Sequence, residues 1–162
     1  MSIAAAITQL GEVLRGVTDA DGRPLRVFTA AETGANGIPE AINQFPAAIV
    51  FPGQTTGYRL VQQEEGHEYE VHVQLLESAG FLAERTASAL PLLELVLDAM
   101  SDAIGLVNGE GQRLVTMITF QRQSGLVELV YSRGPDFEMH YAGYDCTFKV
   151  VSRRSITPSL GG

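Results

Sequence analysis

HEYEVHVQLL, residues 67–76, decides the fold. Its two histidines with acids between them suggest a zinc-protease helix. That motif needs the histidines four apart on a helix, so that both nitrogens reach one metal. Here His67 and His72 are five apart, and the intervening letters alternate polar and apolar with the period of a strand. Odd spacing on a strand sends two side chains to opposite faces, which is a poor geometry for one metal. The stretch therefore reads as a strand with one wet, acidic face.

Working outward, GYRLVQQ (57–63) alternates in the same way. A turn at Glu65-Gly66 would make the two runs a hairpin, with Leu60 opposite Val71 and Tyr58 opposite Val73. FPAAIVFPG (45–53) reads as a short separate strand, because Pro46 and Pro52 cannot donate to a ladder and so mark its ends. LRVF (25–28) is a further short strand. The loop TAAETGANGIPEAINQ (29–44) carries its breakers close together. Ile3, Ile7, Leu10, Leu14 and Val17 recur at helical spacing and predict an amphipathic helix from Ser2 to Arg15 or Gly16.

On the C-terminal side, a wide apolar stripe predicts a helix from Thr86 or Ser88 to Ala103. It combines Leu90, Leu93, Leu97, Met100 and Ile104 with Leu92, Val96, Ala99 and Ala103. A stripe that wide implies burial against more than one neighbour. LVTMITFQ (114–121), LVELVYS (126–132) and EMHYAGYDCTFKVVSRR (138–154) follow as strands. In the last of them, Tyr144, Cys146, Phe148 and Val150 face one way and Tyr141, Asp145, Thr147 and Lys149 the other. Gly143 marks a bulge or bend. The expected architecture is α+β: a largely antiparallel sheet packed by one long central helix and an N-terminal amphipathic helix. Residues 1–154 form a single domain and residues 155–162 a flexible tail.

Composition narrows the function. The chain has 162 residues, a formal net charge of −8, one lysine and one cysteine, Cys146. A single cysteine forms no internal disulfide, and so acidic a chain gains little from phosphate neutralisation, which argues against specific nucleic-acid binding. No apolar run is long enough to span a membrane, and the first residues do not read as a secretory signal. The default setting is cytoplasmic. His140 and Cys146 sit six residues apart on one strand, ~20 Å at strand rise, too far for a thiol–imidazole pair. No serine lies in a nucleophile elbow, and no glycine-rich phosphate loop is present. These patterns predict no catalytic residue, metal or cofactor, and a protein that is not an enzyme. Glu64, Glu65, Glu68 and Glu70 form the densest acidic cluster.

The order of elements resembles the tail terminator and tail completion proteins of long-tailed bacteriophages and phage-like gene transfer agents. The resemblance runs from Ile3 to about Val151. It is carried by the N-terminal helix, the glycine-rich loop leading to FPAAIVFPG, the HEYEVHVQLL strand, the LPLLELVLDAM helix and the final YAGYDCTFKV strand. This family is known by its layout, so no functional residue is carried across. The resemblance implies a virion protein of the tail or neck, assembled in the host cytoplasm. Its copies would form a homohexameric ring that caps the tail tube and joins it to the head connector or stopper. Partners would be the major tail tube protein and the connector, with DNA passing through the ring and no membrane. Glu64, Glu65, Glu68 and Glu70 then become candidates for an acidic channel or surface. Thr33, Asn36, Ile38, Arg153, Arg154 and Ile156 become candidates for partner docking. Two alternatives stay open: a head-closure or adaptor protein of the same neck, and a small-molecule-binding or enzymatic domain using Tyr58, Tyr69 or Tyr144.

Overall fold

Strands dominate the chain because alternating β-branched and aromatic residues recur over unusually long runs. The computed structural model describes residues 2–19, 21–29, 42, 44–61, 64–79, 86–104, 115–132 and 138–155. Helix α1 (Ser2–Arg15) leads to β1 (Arg26–Thr29), β2 (Ala47–Val61) and β3 (Glu64–Ala79). Helix α2 (Thr86–Asp102), β4 (Met117–Gln123), β5 (Val127–Ser132) and β6 (Glu138–Ser155) follow. The sheet has six strands in the order β1-β2-β3-β6-β4, with β5 also pairing β6. Strand β6 takes in one residue of the expected tail, and residues 156–162 lie outside the described residues.

This corrects the expected architecture. The sheet is mixed, because β1 runs parallel to the start of β2, with Arg26 opposite Ala47 and Thr29 opposite Val50. Parallel neighbours need a long crossover, and residues 30–46 provide the length for one. The helices are both short, 14 and 17 residues, and α2 is not a central packing helix. It is α1 that lies against β1, β2, β6 and α2, whereas α2 packs on α1 and β4. Helix α1 comes close because Gly11 has no side chain: a Cβ there would stand 2.5 Å from Thr29 Cγ2. Most of the wide stripe of α2 is used: Leu92, Leu93, Val96, Met100 and Ala103 are buried and Leu97 and Ala99 half-buried, while Ile104, just past the helix, stays exposed, as does Leu95 outside the stripe.

The expected hairpin is corrected too. Strand β2 continues through Pro52, pairing with β3 from Ala47 opposite Leu76 to Val61 opposite Glu64. Pro52 is tolerated because β1 stops pairing at Val50, so β2 becomes an edge strand there, and the register shifts just beyond it. Tyr58 consequently pairs with His67 and Leu60 with Glu65, and the ladder ends with Val61 opposite Glu64 instead of turning at Glu65-Gly66. Register is set by the buried end, where Ala48 meets Leu75 and Val50 meets Val73, and the bulges carry its shift outward.

Strand β6 alternates as its sequence reads. Tyr144, Cys146, Phe148 and Val150 join Val71, Val73, Leu75 and both helices in the main core. Tyr141 faces the other side, in a smaller cluster with Ile42, Ala47, Ile49, Leu76 and Met139. At Gly143 the backbones crowd together beside a register shift between Leu76 and Ser78. A Cβ on Gly143 would lie 2.0 Å from the Leu75 carbonyl oxygen, so only glycine fits.

Candidate functional site

The ladder between β3 and β6 is unbroken from Glu64 to Leu76. A period of two therefore puts Tyr69, Val71 and Val73 toward the helices and Glu68, Glu70, His72 and Gln74 away from them. His67 and His72 fall on opposite faces, as their spacing predicts. Across the ladder, Glu70 meets Lys149, His72 meets Thr147 and Gln74 meets Asp145, forming a polar row on the face away from α1 and α2.

His72 is the centre of that row. Its ring stacks on Phe51 with centroids 5.2 Å apart and lies against Gly53, where a Cβ would come within 2.6 Å of Nε2. Nε2 is 3.7 Å from a Glu70 carboxylate oxygen, and Nδ1 is 3.3 Å from Thr147 Oγ1 and 3.7 Å from Asp145 Oδ1. Glu70, His72 and Thr147 thus sit in the sequence acid–imidazole–hydroxyl. Nucleophilic chemistry would require a substrate to reach Thr147, which is only 2% exposed. The two carboxylates flank opposite sides of the ring, so they do not converge on one point. Among the described residues no group of three or more His, Cys, Asp or Glu side chains is placed to hold a metal ion.

Of the acidic cluster, Glu68 forms an ion pair with Lys149, which offsets its charge, and Glu70 is half-buried beside His72. Glu64 and Glu65 lie on β3 opposite Ser155 and Arg154, and Arg153 is opposite Gly66; the side chains of these acids and arginines are outside the described residues. Thr33, Asn36, Ile38 and Ile156 also lie outside them. The polar row therefore carries fewer net negative charges than its acids suggest.

The remaining reactive groups belong to the interior. Burial, and then the nearby Asp145 charge, pushes the Cys146 thiol up to about 12, so it stays protonated and inert. Burial also raises the Tyr69 phenol, partly offset by its 2.7 Å hydrogen bond with Ser152. Tyr144 is raised by burial and by the Glu77 charge. Tyr131, raised chiefly by burial, donates a hydrogen bond to Gln74. The side chain of Tyr58 is outside the described residues.

A different surface stands out at the sheet's far edge. Strands β4 and β5 lie end to end along β6. Met117, Phe120 and Val130 on them are 50%, 45% and 49% exposed. Val130 faces His140 across the ladder, and His140 is bracketed by Glu128 at Nδ1 and Glu138 at 3.2 Å from Nε2. The Glu128 hydrogen bond, opposed by desolvation and aided by the charges of Glu128 and Glu138, raises the His140 pKa. Sequence reading missed this edge. Its signal is the adjacent apolar pair Met117-Ile118, which covers both faces of a short strand and reads as burial.

A groove of about 640 Å³ opens at the strand ends where β1 and β2 begin and β3 finishes, lined by Arg23, Pro24, Leu25, Arg26, Gln44, Phe45, Pro46, Glu77 and Ser78. Asp19 shapes its rim: Oδ1 accepts from the backbone N–H groups of Asp21 and Arg23, and Oδ2 pairs with Arg23 Nε at 2.9 Å. Neither Tyr69 nor Tyr144 lines it.

No protein-family model matches the chain, and no curated protein matches its sequence. No helix among the described residues is long and apolar enough to cross a membrane.

Proposed function

We propose that this chain is a structural virion protein, a tail terminator whose copies form a ring on the end of a tail tube and join it to the head connector. The observation that carries the reading is the open edge of the sheet. Three large apolar side chains, Met117, Phe120 and Val130, stand about half exposed on adjoining strands. Exposed apolar side chains on an edge strand are an aggregation hazard unless another chain covers them. A protein that assembles through that edge has a use for them. The order of elements, which resembles the tail terminators, supplies the identity of the assembly.

Termination on this reading needs no catalysis. A ring bound to the last layer of tube occupies the surface where the next layer would add, and an interface of that kind buries on the order of 1,000 Å² or more. The same ring then offers its other side to the connector. Deleting the gene tests the proposal. Tubes of irregular and often excessive length, with filled heads standing apart, are the expected outcome. Tails of normal length beside leaking heads would assign the chain to head closure instead. Intact virions would end both structural readings.

A further inference from the structure

Two parts of the sheet carry unlike surfaces. On β5 and β6, Val130 projects between acids, with Glu128 and Glu138 on either side of His140. At the strand ends of β1, β2 and β3, the groove has an apolar wall of Pro24, Leu25, Phe45 and Pro46. Its charges are not equally available. Asp19 and Asp21 already take up the charge of Arg23, and Glu77 is the one acid in the lining. Arg26 is exposed, and its guanidinium has only neutral partners among the described residues: the Gln44 amide and, at 5.5 Å, the face of Phe28.

We infer that the Val130 edge of one copy docks into the Arg26 groove of a second copy. The apolar side chain meets the apolar wall, and Glu128 and Glu138, two acids sharing the single His140 imidazole, meet the Arg26 guanidinium, which engages no carboxylate among the described residues. The inference rests on the assembly reading above and names its subunit contact. Because the edge lies on β5 and β6 and the groove at the strand ends of β1, β2 and β3, the contact is heterologous, with two different patches meeting. Repetition of such a contact closes into a ring where the rotation allows, and otherwise runs on as a filament. Charge complementarity sets the register of such a contact and rejects wrong pairings more than it adds affinity.

The test uses the full-length chain in sedimentation velocity across about 1–100 μM, a range that detects micromolar self-association. The wild type is expected to assemble. The edge variant Glu128→Arg/Glu138→Arg and the groove variant Arg26→Glu should each associate about tenfold more weakly or worse, with unchanged circular dichroism. Mixed in equal amounts they should assemble again, since each edge now faces a groove of opposite charge, and native mass spectrometry should find both in equal numbers. Val130→Ser changes no charge and serves if a charge reversal prevents folding; it too should weaken assembly. A wild type that stays monomeric, a Val130→Ser that assembles like wild type, or two folded charge variants that fail to rescue each other would overturn the contact. Rings that none of these variants weakens would overturn it while leaving the tail reading intact. Normal tail length after gene deletion would remove the tail reading and leave the contact standing.

Discussion

Strand β6 is paired on both sides, and its two sides are unlike. Toward β3, Phe148 sits beside Val71 and Cys146 beside Val73, all at or near zero exposure. Toward β4, the same Phe148 meets Phe120, with ring centroids 5.6 Å apart, yet Phe120 is 45% exposed. Backbone pairing is similar on the two sides, but the coverage above them is not. Val71 and Val73 are enclosed in the main core with residues of both helices, whereas α2, though it packs on β4, leaves Met117, Phe120 and Val130 about half exposed. Stability should therefore depend on one side of β6, and recognition of other molecules on the other.

The sharpest break of that contrast is a pair of truncations. Phe148→Ala should cost about 3–5 kcal/mol of unfolding free energy in urea titration, the range for emptying a closed core. Phe120→Ala should cost about 1 kcal/mol or less, since half its surface is already in water. Equal losses would show that the open edge is as much a part of the core as the covered one.

Next in size is Gly143→Ala, on the covered side. Its Cβ would strike the Leu75 carbonyl oxygen, a backbone atom that cannot swing aside. A loss of about 3 kcal/mol is expected, from local overpacking and a broken ladder. An unchanged thermal midpoint would mean that β3 can shift away freely at the bulge.

Tyr69→Phe should cost about 1 kcal/mol, because the Ser152 hydroxyl it leaves behind is fully buried. The smallest effect belongs to the open side. Glu128→Gln should lower the pKa of His140 in an NMR titration, since the Glu128 hydrogen bond is the largest cause of its elevation. The sign follows from a folded-state pKa above the unfolded one. The linked stabilisation is fully present below the ordinary histidine pKa and fades as pH rises through the folded value. A side chain about half exposed to solvent, at 46%, should keep the effect small. A His140 pKa unmoved by the substitution would show that the short contact with Glu128 is not kept in solution.

Much of this contrast is legible in the sequence alone. Period-two alternation in residues 144–150 separated the core face of β6 from its polar face, and helical spacing located α1 from Ser2 to Arg15. Strand direction was not legible, because side-chain alternation is the same in parallel and antiparallel strands. That is why β1 was expected in an antiparallel sheet. Pro52 was misread as a terminator because its tolerance depends on where β1 stops, a fact belonging to another segment. The stripe on α2 announced burial without naming the partner. Of the candidate surface, the acids on a wet strand face could be read directly. The charge balance there could not, since pairing Glu68 with Lys149 requires the β3–β6 register. The apolar edge was hidden for the opposite reason: Met117, Phe120 and Val130 have the composition of a core and the exposure of a surface.

The lone thiol gives this molecule a built-in clock. Cys146 is wholly buried, paired with Val73 on one side and with Gln123 of the open edge on the other. A thiol reagent can modify it only during moments when the strands part, so the labelling rate multiplies intrinsic thiolate reactivity by the fraction of time spent open. An opening that costs about 5 kcal/mol would slow the reaction roughly five-thousandfold relative to the unfolded chain. How steeply urea accelerates labelling then separates two events. A shallow dependence marks β4 peeling away from β6 alone, and a steep one marks loss of the whole sheet. Any molecule that settles on the β4–β5 edge would hold the first of these doors shut, so a single cysteine can time the arrival of a partner that has no probe of its own.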